Sequence, residues 1–264
     1  MLSESTVPRA VLVCASISVS ILLLYGASGS PSFLSSGYSF NFLPFLLGGS
    51  SDSEFSIRAI LRRFFYSMVH AHCFALVTRG LDFRHEAYFM TDVYLEMMWR
   101  RIDFLRSLLE LGYNFVFTDA DIMWFRDPFP RFFLDADFQI ACDQFSGNSS
   151  DVQNRPNGGF NYVKSSSRSI EFYKFWYSSR ETYPGYNEQD VLNFIKFDPL
   201  VERLGLKMRF LDTAFFGGLC EPSKDLNLVC TMHANCCFGL DNKLHDLRIM
   251  LQDWKTFFYL CHRP

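Results

Sequence analysis

Between Tyr94 and Leu111 the apolar residues recur at helical spacing: Leu95, Met98, Trp99, Ile102, Leu105, Leu108 and Leu109. Gly112 follows as a natural helix C-cap. The pattern then changes. Tyr113 to Phe117 is a short, aromatic-rich apolar run that reads as a buried strand, and it stops at Asp119-Ala120-Asp121. A second short apolar run, Phe138 to Cys142, predicts another strand, with Asp143 and Gln144 at its C-terminal end. Asn157-Gly158-Gly159 reads as a turn leading into a strand over Phe160 to Val163. Ser169 to Ser178 and Asn187 to Phe197 read as amphipathic helices, the second N-capped by Asn187. Lys207 to Leu211 predicts a strand and Leu247 to Leu260 a closing helix. Helices alternating with strands predict an α/β fold, a mixed sheet flanked by helices.

The N-terminus has a different pattern. Ala10 to Tyr25 carries no charge and follows Arg9. At about 16 residues it falls between a signal-peptide core and a full membrane helix. The next charged residue is Asp52, so the positive-inside rule places the N-terminus in the cytosol. The predicted organisation is a cytosolic tail over 1–9, a signal-anchor helix over 10–25, a Ser/Gly-rich stem over 26–56 and a lumenal domain over 57–264. Cleavage near Ala27-Ser28-Gly29 is the alternative. The chain of 264 residues suits one sizeable domain, and its net charge of −3 offers no basic field for nucleic acid.

A buried strand has little use for two carboxylates at its end unless something positive meets them there. Hard divalent cations take oxygen ligands, and Mg²⁺ or Mn²⁺ is commonly held by one or two carboxylates together with substrate phosphates. Open α/β sheets place their ligands beyond the carboxyl ends of the strands. Asp119 and Asp121 are therefore candidate metal ligands for a phosphorylated substrate. Asp135-Ala136-Asp137 precedes a strand rather than following one and reads as a solvated turn. His233 could complete a metal shell as a neutral imidazole, and Lys243 could neutralise a phosphate. Arg100, Arg101, His70 and His72 read as structural or surface residues. Seven of the eight cysteines lie outside the apolar N-terminal segment, and no C-x-x-C pair suggests zinc. Disulfides are plausible in an oxidising lumen, where the sequon Asn148-Ser149-Ser150 could be glycosylated.

From Cys73 onward the chain resembles the plant nucleotide-diphospho-sugar transferases of glycosyltransferase family 77. The resemblance is carried by Phe89-Met90-Thr91, Met97 to Ile102, Gly112 to Phe115, Thr118 to Arg126, Asn157 to Phe160, Asn187 to Leu192, His233 to Cys237 and Gly239 to Lys243. It implies a GT-A-like fold and a retaining Golgi type II membrane enzyme, with a UDP-sugar as donor and a cell-wall polysaccharide or glycoprotein as acceptor. It further implies that Asp119, Asp121 and His233 hold Mn²⁺ or Mg²⁺ and that Lys243 contacts the diphosphate. This is similar to the His-to-Gly-to-Lys arrangement of glycogenin-like transferases. Asp143, Gln144, Asn157, Gly158 and Gly159 would bind substrate, and Gln189 and Asp190 are the catalytic candidates. Residues 54–69 stand where the family carries its first nucleotide-cradling strands, so part of that wall is expected to be missing. That departure keeps a second reading open, a catalytically inactive relative acting as a Golgi interaction protein. A phosphatase of the haloacid dehalogenase type also begins with a strand and Asp-x-Asp, but it expects Thr or Val where Met123 stands.

Overall fold

The computed structural model describes residues 11–15, 20–26, 73–76 and 87–261. Ten strands and five α-helices run through them in chain order. Three strands come first: β1 (Val11–Ala15), β2 (Ser20–Gly26) and β3 (Cys73–Leu76). Then follow α1 (Asp92–Glu110), β4 (Tyr113–Thr118), β5 (Ile122–Trp124), β6 (Phe138–Gln144) and β7 (Arg155–Val163). The remainder comprises α2 (Ser167–Ser178), α3 (Glu188–Ile195), α4 (Pro199–Arg203), β8 (Met208–Phe210), β9 (Phe216–Gly218), β10 (Thr231–His233) and α5 (Leu240–Cys261).

The main sheet has seven strands in the order β3-β1-β2-β4-β7-β6-β8, and β5-β10-β9 form a second, three-stranded sheet. β7 lies antiparallel between β4 and β6, so these two run in the same direction, and β8 is parallel to β6. The carboxyl ends of β4 and β6 therefore open at one edge, and the first residues of β7 arrive there from the opposite direction. This is the edge at which α/β sheets take ligands.

Under the sheet lies an aromatic core. α1 buries the predicted stripe of Met98, Trp99, Ile102, Leu105, Leu108 and Leu109. Its N-cap is Thr91, whose hydroxyl accepts from Tyr94 N, and Gly112 follows its end at φ +86°. The left-handed backbone there is one that glycine adopts without a side-chain clash. α2 lays Phe172, Tyr173 and Trp176 against Phe138 and Phe115, with ring centroids 5.4 to 6.2 Å apart. Trp176 Nε1 donates to Glu188 O (2.8 Å), tying the core to the start of α3.

Three expectations change. In place of the expected membrane helix over 10–25, the structure has β1 and β2, and β2 pairs antiparallel with β4 from Ile21↔Thr118 to Gly26↔Tyr113. A continuous apolar run is as compatible with strand as with helix, and periodicity cannot separate the two. Among the described residues no helix is long and apolar enough to cross a membrane. Second, Asn157-Gly158-Gly159 is no turn but part of β7, with all three residues buried. Third, α5 starts seven residues earlier than predicted and so includes Lys243. The expected tail (1–9) and the stem beyond Gly26, with His70 and His72, lie outside the described residues.

Candidate metal and substrate site

Backbone pairing builds the site. Asp119 leaves the end of β4 with its N–H donating to Gly159 O (2.7 Å), and Ile122 N donates to Asp119 O (3.3 Å), closing a turn that presents both aspartates. β5 starts at once and pairs antiparallel with β10, setting His233 opposite Ile122. Ala234 N donates to Asp121 O (2.9 Å) and locks the register. One ligand atom each from Asp119, Asp121 and His233 lies within 4.8 Å of the other two. His233 Nε2 is 3.1 Å from Asp121 Oδ1 and 3.9 Å from Asp119 Oδ2. Two carboxylates and an imidazole at this spacing form a donor set suited to Mn²⁺ or Mg²⁺.

Cationic groups surround the carboxylates. Lys243, in the first turn of α5, donates to Asp121 Oδ2 and to Ala234 O, the latter at 2.7 Å. Burial pushes the Asp121 carboxyl up, but hydrogen bonds and charge from His233 and Lys243 outweigh it and hold the pKa at about 2. Asp121 is thus ionised and available as a ligand at neutral pH.

Glycine is required here by close approach rather than by backbone twist. A Cβ on Gly159 would sit 2.5 Å from His233 Cε1 and 2.8 Å from Asp119 Oδ2. One on Gly158 would meet Glu188 Oε1 at 3.1 Å.

The other predicted residues divide. Asp143, Asn157 and Gln189 come together: Asn157 Nδ2 donates to Asp143 Oδ1 (2.8 Å) and Gln189 Nε2 to Asp143 Oδ2 (3.0 Å). Gly158 N donates to Gln189 Oε1 (2.9 Å). Gln144 is exposed beside Arg155 at the end of β6 and is not drawn in. Asp190 also stays out of this hydrogen-bonded group; burial raises its pKa and the charge of Arg155 opposes the rise.

Sequence reasoning missed Arg101 and Glu188. Arg101 Nη1 donates to Asp119 Oδ1 (3.2 Å), Nη2 pairs with Glu188 Oε1, and the guanidinium lies 4.6 Å from the Phe117 ring centroid. Glu188 is only 3% exposed, and its Oε2 has no hydrogen-bond partner. Burial raises the Glu188 pKa and Arg101 works against it. Burial likewise disfavours the Arg101 charge, but Glu188 and Asp119 more than restore it. The signal was in the helical period: Arg101 falls three residues after Met98 and four before Leu105, on the buried face of α1. Arg100, one step round, is the surface residue and pairs with Glu96.

Two Arabidopsis thaliana proteins resemble the chain. The uncharacterised protein At4g15970 is 54% identical over 192 residues, covering 72% of this chain and 50% of its own length. The uncharacterised protein At1g28695 is 37% identical over 187 residues, covering 70% of this chain and 56% of its own length. The chain therefore spans about half the length of these curated relatives. Among solved structures, a glycosyltransferase involved in the glycosylation of the major capsid of PBCV-1 superposes with a TM-score of 0.46 at 12% identity, over 72% of this chain and 90% of that one. The profile of the nucleotide-diphospho-sugar transferases matches residues 61–247, a span that holds Asp119, Asp121, His233 and Lys243, and the chain belongs to that family.

Proposed function

We propose that this protein is a metal-dependent glycosyltransferase that moves a sugar from a UDP-sugar to a cell-wall polysaccharide or glycoprotein acceptor. The observation that carries this reading is the convergence of Asp119, Asp121 and His233, with Lys243 beside them, at the carboxyl edge of the sheet. A divalent cation held by those three residues would stabilise the charge that develops on a departing nucleoside diphosphate. Lys243 supplies a second positive charge, a compact ammonium suited to phosphate oxygens. Arg101 holds one oxygen of Asp119 from behind and leaves Oδ2 on the His233 side. Gly158 and Gly159 keep side chains out of the space next to those groups. The family resemblance supports a retaining outcome. Gln189 is tied to Asp143 and Gly158, which favours Asp190 as the less constrained of the two catalytic candidates.

The Cys220–Cys236 disulfide supports an oxidising compartment, and the exposed Asn148 sequon fits one. We infer a Golgi lumenal location on that basis. The test is calorimetric binding of UDP to the purified chain with and without Mn²⁺, followed by hydrolysis of a panel of UDP-sugars. Binding that requires Mn²⁺ is the expected result. No UDP binding in the presence of Mn²⁺ would overturn the enzyme reading and favour the interaction-protein role.

A further inference from the structure

At the end of β6, the Asp143 carboxylate accepts from three side-chain amides: Asn157 Nδ2 (2.8 Å), Asn235 Nδ2 (2.8 Å) and Gln189 Nε2 (3.0 Å). Each amide then turns its oxygen to a backbone N–H. Asn157 Oδ1 accepts from Gly159 N (2.9 Å), Gln189 Oε1 from Gly158 N (2.9 Å) and Asn235 Oδ1 from Cys220 N (3.2 Å). The arrangement is one carboxylate, three amides and three backbone donors, joined in three spokes of the same kind. They reach three separate segments: the glycine pair of β7, the first turn of α3 and the stretch just after β10, where Asn235 follows His233 by two residues and Cys236 bridges back to Cys220.

We propose that Asp143 is a positioning residue. Through these spokes it fixes the spacing between the Gly158–Gly159 backbone, Gln189 and the stretch that follows His233, and it does not itself bind substrate. The proposal rests on the glycosyltransferase reading only for its catalytic consequence.

The chemistry is directional. An ionised carboxylate is acceptor-only, with about four lone-pair sites, so it can take three N–H donors at once. It thereby dictates which way each amide faces, because a reversed amide would aim its oxygen at the carboxylate and its NH₂ at a backbone N–H. Two further contacts make the spokes tight. Asn157 and Asn235 are 7% and 8% exposed, so an unmet amide there has little water to turn to. A Cβ on Gly218 would lie 2.5 Å from Asn235 Oδ1, so that amide is wedged in place. In β6 the pairing with β7 shifts register between Cys142 and Gln144, at the position of Asp143 itself. Irregularities of this kind re-aim a side chain, here the hub.

Asp143→Asn tests the idea with little change in shape. The substituted side chain offers one oxygen and one NH₂ to three amide NH₂ groups, so at least one spoke must break. Hydrogen–deuterium exchange on the full chain should show the Gly158, Gly159 and Cys220 amides exchanging about 10-fold faster or more, with Phe115 to Phe117 of β4 unchanged. With a UDP-sugar that the wild type turns over, kcat should fall about 30-fold or more while KM stays within about 3-fold, the signature of lost positioning rather than lost binding. Unchanged exchange at the three amides overturns the proposal. So does a KM that rises at constant kcat, which would make Asp143 a substrate ligand. If Asp143→Asn does not fold, Asn235→Ala removes a single spoke and should speed exchange at Cys220 while Gly159 stays protected; no change at Cys220 also overturns it. The exchange measurements decide the matter even if the wild type turns over no UDP-sugar, so failure of the hub and failure of the glycosyltransferase reading are told apart.

Discussion

Asp119-Ala120-Asp121 and Asp135-Ala136-Asp137 are the same tripeptide, and the fold gives them opposite work. The first follows β4, where the chain leaves the carboxyl edge of the sheet, and both of its side chains turn toward His233. The second precedes β6 and sits at the other edge. Asp135 is exposed and pairs loosely with Arg209 (3.2 Å) and Lys207 (3.9 Å), as a solvated turn would. Asp137 departs from that expectation. It is 5% exposed, takes Arg168 through two bonds of 2.9 Å, and accepts Lys207 N at 3.0 Å. Every oxygen of Asp137 is committed to protein donors, so it serves as a clamp between β6, α2 and the approach to β8. At the first motif the negative charges are crowded together instead, with Lys243 and Arg101 as their counterweights. Strand polarity decides which Asp-x-Asp can take a cation.

The largest expected effect is on metal affinity. Asp121→Ala removes a ligand and should weaken Mn²⁺ binding by about 100-fold or more, beyond the 10- to 100-fold typical of losing a supporting contact. Titration with Mn²⁺ monitored by electron paramagnetic resonance reads it, and unchanged affinity would break the assignment. Gly159→Ala comes next. Its Cβ would displace His233 and Asp119 and would also lie 2.9 Å from Asn157 Oδ1, the buried acceptor of the Gly159 N–H, so a smaller loss of stability accompanies the metal defect. A loss of about 10-fold or more in Mn²⁺ affinity is expected, with a urea midpoint that falls less than in Asp137→Ala. Asp137→Ala should do the reverse: about 1–3 kcal/mol of stability lost through the stranded Lys207 N–H and Arg168, with Mn²⁺ affinity untouched. A metal defect in Asp137→Ala would erase the contrast between the two motifs.

Legibility followed the range of the interaction. α1 was readable because its period is local, and the polarity of β4 could be inferred from the helix-then-strand step, which carried Asp119 and Asp121 with it. His233 and Lys243 rested on family resemblance, since nothing local ties residue 233 to residue 121; the β5–β10 pairing does. Arg101 was missed because a charged residue on a buried face reads as surface until its partners, Asp119 and Glu188, are known. The amide hub was invisible for the same reason. Asn235 is 92 residues from Asp143 along the chain. The apolar N-terminal run was read as a membrane helix and not as strand, because an unbroken apolar run carries no period that tells one backbone shape from the other.

The smallest expected effect separates the two motifs by acid. Burial pushes Asp137 up, but Arg168, Lys207 N and Ser166 bring its pKa below the ordinary 3.8. A carboxyl depressed in the folded state contributes stability that is complete above its unfolded pKa and is lost as pH falls through the folded one. Asp121, held at about 2, obeys the same sign. Metal-free protein should therefore lose stability as pH drops from about 3.8 toward 2, and Asp137→Asn and Asp121→Asn should each flatten part of that slope. Urea midpoints across that range measure it. Saturating Mn²⁺ then splits the pair. Protons compete with the cation for Asp121, so added metal should steepen the acid dependence of the wild type and of Asp137→Asn, and leave Asp121→Asn nearly unaffected. If Mn²⁺ steepens the slope of Asp121→Asn as well, the cation is being held by carboxylates other than those at the end of β4.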